Sequence, residues 1–284
     1  MSAATRWRRA LAALCCGLAA GAALASDPVL TVKAGGRTAT HTVAALLAHP
    51  GTVTITVPRD VAYKRAMTYR ALPVAALLDG VAPAASLRFA AADGFAATLQ
   101  ADLLLAAADR APRAYLALEP PDAPWPALTA GDPATAGPFY LVWLRPERGM
   151  IVPEQWPYRV ARIEEVRPLA ERYPAIVPPP GLAADASVRR GFPLAVKNCL
   201  VCHTLNLGGD STVGPDLNVP YSPTEYLRAD ALRRLIRDPQ SLRRWAGTKM
   251  PGFDPSVLSD RELNDVLSYL RYMATRKVAV APRK

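Results

Sequence analysis

The five residues Cys199-Leu200-Val201-Cys202-His203 constrain this chain more than any other stretch. They set two thiols one turn of chain apart and an imidazole directly after the second. The question they raise is what two thiols and an imidazole do together. The segment uses two of the four cysteines and one of the three histidines in 284 residues. Its meaning depends on the compartment the chain works in and on what the rest of the sequence lacks.

Residues 1–25 read as an export signal. Arg6, Arg8 and Arg9 give a basic start, residues 10–25 form an alanine-rich apolar run broken by Gly17 and Gly21, and Ala23-Leu24-Ala25 offers the small-x-small cleavage pattern. An uncleaved anchor is the alternative, but the run is near the lower limit for spanning a bilayer and only weakly hydrophobic. Cys15 and Cys16 leave with the signal, and no later segment is long and apolar enough to cross a membrane. The expectation is a soluble periplasmic protein without a stable membrane span, whose only thiols are Cys199 and Cys202. Two thiols in an oxidising compartment do not stay idle.

A boundary falls in residues 173–187, where Pro178, Pro179 and Pro180 favour a stiff extended connector. This divides the mature chain into a first domain at 26–174, a linker at 175–187 and a second domain at 188–284. Charge divides there too. Residues 26–187 carry 15 Lys+Arg against 15 Asp+Glu, whereas 188–284 carry 16 against 9, a net of +7.

The first domain reads as α+β. Strands are expected in residues 28–36, 51–58, 138–144 and 158–166, the last alternating imperfectly. Short helices are expected at 41–50, capped by Thr40 or Thr42, and at 72–80. Residues 86–100 form a hairpin turning at Asp93-Gly94. The second domain reads as all-α. Leu227, Ala231, Leu232, Leu235 and Ile236 share one face of a helix that Pro239 stops. Ser259 and Glu262 form a capping box ahead of a helix striped by Leu263, Val266, Leu267 and Leu270.

Cys-x-x-Cys-His is the attachment signature of a c-type haem. Two thiols on one turn reach both porphyrin vinyl groups, and the next residue lies under the iron as proximal ligand. A redox dithiol needs no histidine and sits after a strand. Zinc needs four ligands, and only His41 and His49 remain to supply them. A disulfide across two residues is strained. One covalent haem is therefore expected on Cys199 and Cys202, with His203 as one axial ligand and Met250, in Thr248-Lys249-Met250-Pro251-Gly252-Phe253, as the other. Met273 sits on a helix stripe and is explained as packing. Residues 188–278 resemble a class I cytochrome c in the order of these motifs. The resemblance implies that the carbonyl of Pro215, in Gly214-Pro215, orients the histidine. It also implies that the first and last helices cross near Gly191, Phe192 and Tyr269.

Arg228, Arg233, Arg234, Arg237, Arg243, Arg244 and Lys249 precede Met250 closely. They are read as a positive collar that steers an acidic redox partner, against the alternative of a solvated helix face. Nucleic acid is not an expected partner of an exported chain.

More loosely, residues 30–168 resemble the molybdopterin-binding fold of sulfite oxidases, through the segments 68–80, 87–99, 137–147 and 155–166. That family binds molybdenum through a cysteine thiolate just after the strand matching residues 52–57. Here Val57 or a neighbour stands there and the mature domain has no cysteine, so a molybdopterin is not expected. The reading is a haem-carrying electron carrier that exchanges electrons with a partner oxidoreductase, its first domain serving for docking or ligand binding. The alternative is a self-contained enzyme passing electrons from a small substrate to its own haem. Arg59, Lys64, Arg65 and Arg70, with Tyr63 and Tyr69 among them, could form an anion or ring pocket or a plain solvated loop.

Overall fold

The computed structural model describes residues 28–244 and 248–279. Residues 1–25, read above as an export signal, lie outside the described residues together with Cys15 and Cys16.

The N-terminal half is built from strands β1 (Val29–Ala34), β2 (Arg37–Thr42), β3 (Val53–Val57), β4 (Met67–Pro73), β5 (Ser86–Ala91), β6 (Ala96–Gln100), β7 (Arg113–Leu118), β8 (Phe139–Leu144) and β9 (Val160–Val166). They form a sheet of order β2-β1-β9-β5-β6 and another of order β3-β4-β7-β8. The last strand, β9, returns to the middle of the first sheet, parallel to β1 and antiparallel to β5. That crossover ties the two ends of the half together. Inward alternation on β1 buries Leu30, Val32 and Ala34. The hairpin expected at 86–100 is present, with Gly94 at φ +93° in its turn and Asp93 Oδ1 accepting from Phe95 N.

Three strands escape the sequence reading. β2 (RTATHT) is an exposed edge with no apolar face to reveal it. β4 falls on residues assigned to a basic loop and the start of a helix, yet it lies between β3 and β7 with Tyr69, Ala71 and Leu72 buried. In β7 alanines replace the usual β-branched residues. The helix expected over 41–50 shrinks to α1 (Val43–Leu47), capped by Thr42, which leaves His41 on β2 and His49 beyond the helix. The piece expected at 72–80 is a 3-10 turn, Val74–Leu77. The imperfect alternation in β9 has a cause: the register against β5 shifts between Ala90 and Ala91. Val160 and Ile163 both point inward although three residues apart.

After α2 (Ala101–Leu105) and α3 (Leu169–Arg172) the chain is helical: α4 (Ser187–Asn198), α5 (Pro223–Tyr226), α6 (Ala229–Arg237), α7 (Pro239–Leu242) and α8 (Asp260–Ala274). The single helix expected before Pro239 is broken. Ser222 and Glu225 cap α5 reciprocally, Leu227 turns extended, and Pro239 starts α7 instead of merely stopping its predecessor. The capping box on α8 is present: Glu262 N donates to Ser259 Oγ and Ser259 N to Glu262 Oε2. α4 crosses α8 at Gly191, where any side chain would strike the Asp265 carbonyl, and the Phe192 and Tyr269 rings pack 5.7 Å apart. Ile176, in the connector, is buried in this helical core, and its carbonyl accepts from Tyr269 Oη at 2.6 Å. Among the described residues no helix is long and apolar enough to cross a membrane.

The two halves are docked. Ala96 N donates to the Val201 carbonyl at 3.1 Å, and Thr212 N and Ser211 Oγ both donate to the Gly94 carbonyl at 3.1 and 2.9 Å. Asp210 accepts two bonds from Arg172 at 2.5 and 2.6 Å, one from Arg88 at 2.9 Å and one from Tyr173 at 3.1 Å. Val201 is buried in the core of the sheets, and Cys202 packs against it.

Candidate haem site

α4 delivers the motif. Its apolar face packs on α8, and its end at Asn198 leaves Cys199 as the C-cap. The next turn closes with Cys202 N and His203 N both bonded to the Cys199 carbonyl, at 3.1 and 3.0 Å. Both thiols are free. Burial, and then the nearby charge of Glu154, pushes Cys199 up to about 12 and Cys202 up to about 11. Thiols this reluctant to ionise are poor nucleophiles, which argues against a dithiol redox pair. Among the described residues no group of three or more His, Cys, Asp or Glu is placed to hold a metal ion, so zinc finds no ligand set around the motif.

The imidazole sits in a fitted cradle. A Cβ on Gly214 would lie 2.5 Å from His203 Cε1 and 2.6 Å from Nδ1, so only glycine leaves room for the ring. Gly214 N donates to the Cys202 carbonyl at 2.7 Å, which brings the following Pro215 round to the ring. The Pro215 carbonyl is 2.7 Å from His203 Nδ1. A carbonyl only accepts, so Nδ1 carries the proton and Nε2 keeps the lone pair a metal needs. Burial also lowers the histidine's proton affinity, more than the Pro215 carbonyl and Asp216 raise it. The neutral form is the one that ligates.

Met250 is half-buried in the apolar cluster that holds Cys199, Leu217 and Phe253. The chain after it is tied to α6. Phe253 N donates to the Ile236 carbonyl at 3.0 Å. Arg237 donates to the carbonyls of Phe253 and Leu258, at 2.7 and 2.6 Å, and to Asp260 at 2.7 Å. A neutral imidazole whose Nδ1 is held by the Pro215 carbonyl and whose Nε2 is left to bind, next in sequence to two free thiols, suits a porphyrin iron and its two thioether links.

Residues 188–274 match the family model of cytochrome c. No curated protein matches the chain. A cytochrome c domain implies covalent haem binding and electron transfer.

Around the cytochrome c domain the basic residues do not act alike. Arg237 is a correction to the collar: its side chain is only 20 % exposed and is spent on the Met250 loop. Arg233 bonds the Asn264 side chain, Arg234 the Ser241 carbonyl at 3.3 Å, and Arg228 pairs with Asp230 at 3.4 Å. Arg243, Arg244 and Lys249 are exposed. In the sheets, Arg59, Lys64, Arg65 and Arg70 point outward while Tyr69 is buried on Asp60, so they share no pocket with it. Trp125, Trp143 and Trp156 are core residues and Val57 is buried. Sequence reasoning missed Asp210, Gly94 as a contact, and Glu154. None carries a local signature, because each acquires its role from the other half of the molecule.

Proposed function

We propose that the chain is a periplasmic single-haem c-type cytochrome that exchanges electrons with a partner oxidoreductase. In this reading Cys199 and Cys202 carry the porphyrin, and His203 Nε2 and the Met250 sulfur ligate its iron. The reading is carried by the His203–Gly214–Pro215 cradle inside the matched segment. When bound, the haem supplies a one-electron iron couple whose potential a thioether ligand raises. The protein's own part is to fix the imidazole through Pro215, to hold the methionine loop through Arg237, and to bury the cysteine edge under the sheets. Arg234, Arg243, Arg244 and Lys249 form the docking face for an acidic partner, supported by their exposure and by the +7 of residues 188–284. The N-terminal half acts as a docking or ligand-binding module, a degenerate relative of the molybdopterin-binding fold.

A second reading is favoured by one observation: Val201 and Cys202 pack into the core of the sheets. That contact would also serve an enzyme whose N-terminal half oxidises a small substrate and passes electrons inward. Metal and pterin analysis of protein made in an export host that attaches haem decides between them. One iron per chain without molybdenum or pterin supports the carrier. Stoichiometric molybdenum or pterin supports the enzyme. Colourless protein with both thiols titratable overturns both.

A further inference from the structure

The sheets bring one buried acid to the cysteine edge. Glu154 lies in a single turn, Pro153–Gln155, between β8 and β9, and that turn packs on α4. It is 8 % exposed and its Oε2 has no hydrogen-bond partner. Buried carboxylate oxygens are rarely left so, and this one asks for a reason. Its charge acts on both Cys199 and Cys202, which puts it within electrostatic reach of both thiols. The charged groups facing it are Lys197 of α4 and Lys64 of the loop before β4. Lys197 Nζ donates to the Met150 carbonyl at 3.0 Å, and neither lysine bonds Oε2. Asp93 is the other acid that acts on Cys202.

We propose that Glu154 is the residue through which the sheets set the reduction potential of the haem, taking up one proton as the iron takes up one electron. This rests on the haem reading above. The electron comes from an external one-electron donor and the proton from solvent; the carboxylate becomes a carboxylic acid and no other bond changes. On that reading, reduction would remove one positive charge from the group that Cys199 and Cys202 would hold. A carboxylate held in low dielectric feels that loss far more than one in water, so it binds its proton more tightly in the reduced protein. Between the two proton affinities the midpoint potential falls as pH rises. Each tenfold difference in affinity corresponds to about 59 mV for a one-electron couple. Burial raises the carboxyl's proton affinity more than Lys197 and Lys64 lower it, which moves the window upward from the usual carboxylate range.

The test is an optical redox titration of the full haem-loaded chain from acid to mildly alkaline pH, comparing wild type with Glu154→Gln and Glu154→Asp. Wild type should show a midpoint that falls through one pH window. Glu154→Gln should flatten that fall and raise the midpoint on its alkaline side, and Glu154→Asp should keep the fall and move its window. A carboxylic C=O band in the redox-difference infrared spectrum should vanish in Glu154→Gln. Should Glu154→Gln fail to fold, the wild-type band and the Glu154→Asp window carry the test alone. Midpoints and slopes identical in all three proteins overturn the assignment while leaving the haem reading intact. Absence of a haem spectrum overturns the haem reading itself.

Discussion

His203 is held by two neighbours that act in different ways. Gly214 makes room and Pro215 sets the tautomer, so the ring presents one nitrogen in one direction. Gly214→Ala adds a methyl where the ring already sits. It should cost about 2 kcal/mol as overpacking and lower the haem-to-protein ratio, read by denaturant titration and by the Soret-to-280 nm absorbance ratio. Met250→Ala removes the only thioether on the tied loop. It should abolish the sulfur-to-iron band at the red edge of the spectrum and lower the midpoint potential; an unchanged band would remove Met250 from the iron. The Pro215 carbonyl was expected at the ring from the resemblance to class I cytochromes c and lies 2.7 Å from Nδ1, whereas Met250 was singled out by the Pro251-Gly252 pair that follows it and its place at the iron rests on the spectrum. Glu154 was not legible, since nothing within Val152-Pro153-Glu154-Gln155 says that α4 covers it.

At the scale of elements, the loop after Met250 depends on one arginine at the end of α6. Arg237 bonds two carbonyls and a carboxylate there, and Gly252 passes within 2.5 Å of its carbonyl oxygen, measured to an added Cβ. Arg237→Gln should cost about 2 kcal/mol in hydrogen bonds to a charged group. It should weaken the sulfur-to-iron band while leaving the haem attached; a full-strength band at unchanged stability would show that the loop holds itself. Arg237 read as surface charge because its side chain belongs to a charged helix face, whereas its partners lie 16 to 23 residues onward. The same locality explains which elements were visible. α8 announces itself through a cap and a stripe, both contained in its own residues. β4 and β7 are strands because of the neighbours they pair with, and the break at Leu227 follows from the cap on α5 rather than from the apolar spacing, which runs through it undisturbed.

For the molecule as a whole, Asp210 is the clasp between the sheets and the helices. It is 4 % exposed in its side chain. Burial works against its ionisation, but the guanidiniums of Arg172 and Arg88 outweigh burial and hold its carboxyl below the usual range. The unfolded chain therefore binds more protons than the folded one just below the ordinary aspartate pKa. The stabilisation is complete above about pH 4 and is lost as pH falls through the folded value. Asp210→Asn should cost about 3 kcal/mol, as breaking a buried pair does. Calorimetry should then resolve two transitions where wild type shows one; a single unchanged transition would mean the halves stay docked without it. At this scale too, reduction by an acidic partner should slow as ionic strength rises, and salt-independent rates would dismiss the exposed arginines as a docking face. The packing of Cys202 against the core of the sheets has a further consequence for biosynthesis. In the closed chain Cys202 is partly covered where it packs against the core of the sheets beside Val201, so on the haem reading a porphyrin would reach this thiol more easily before the halves close. On the proposed haem reading, the docking of the sheets onto the Val201–Cys202 segment couples the closing of the two halves to the loading of the cofactor.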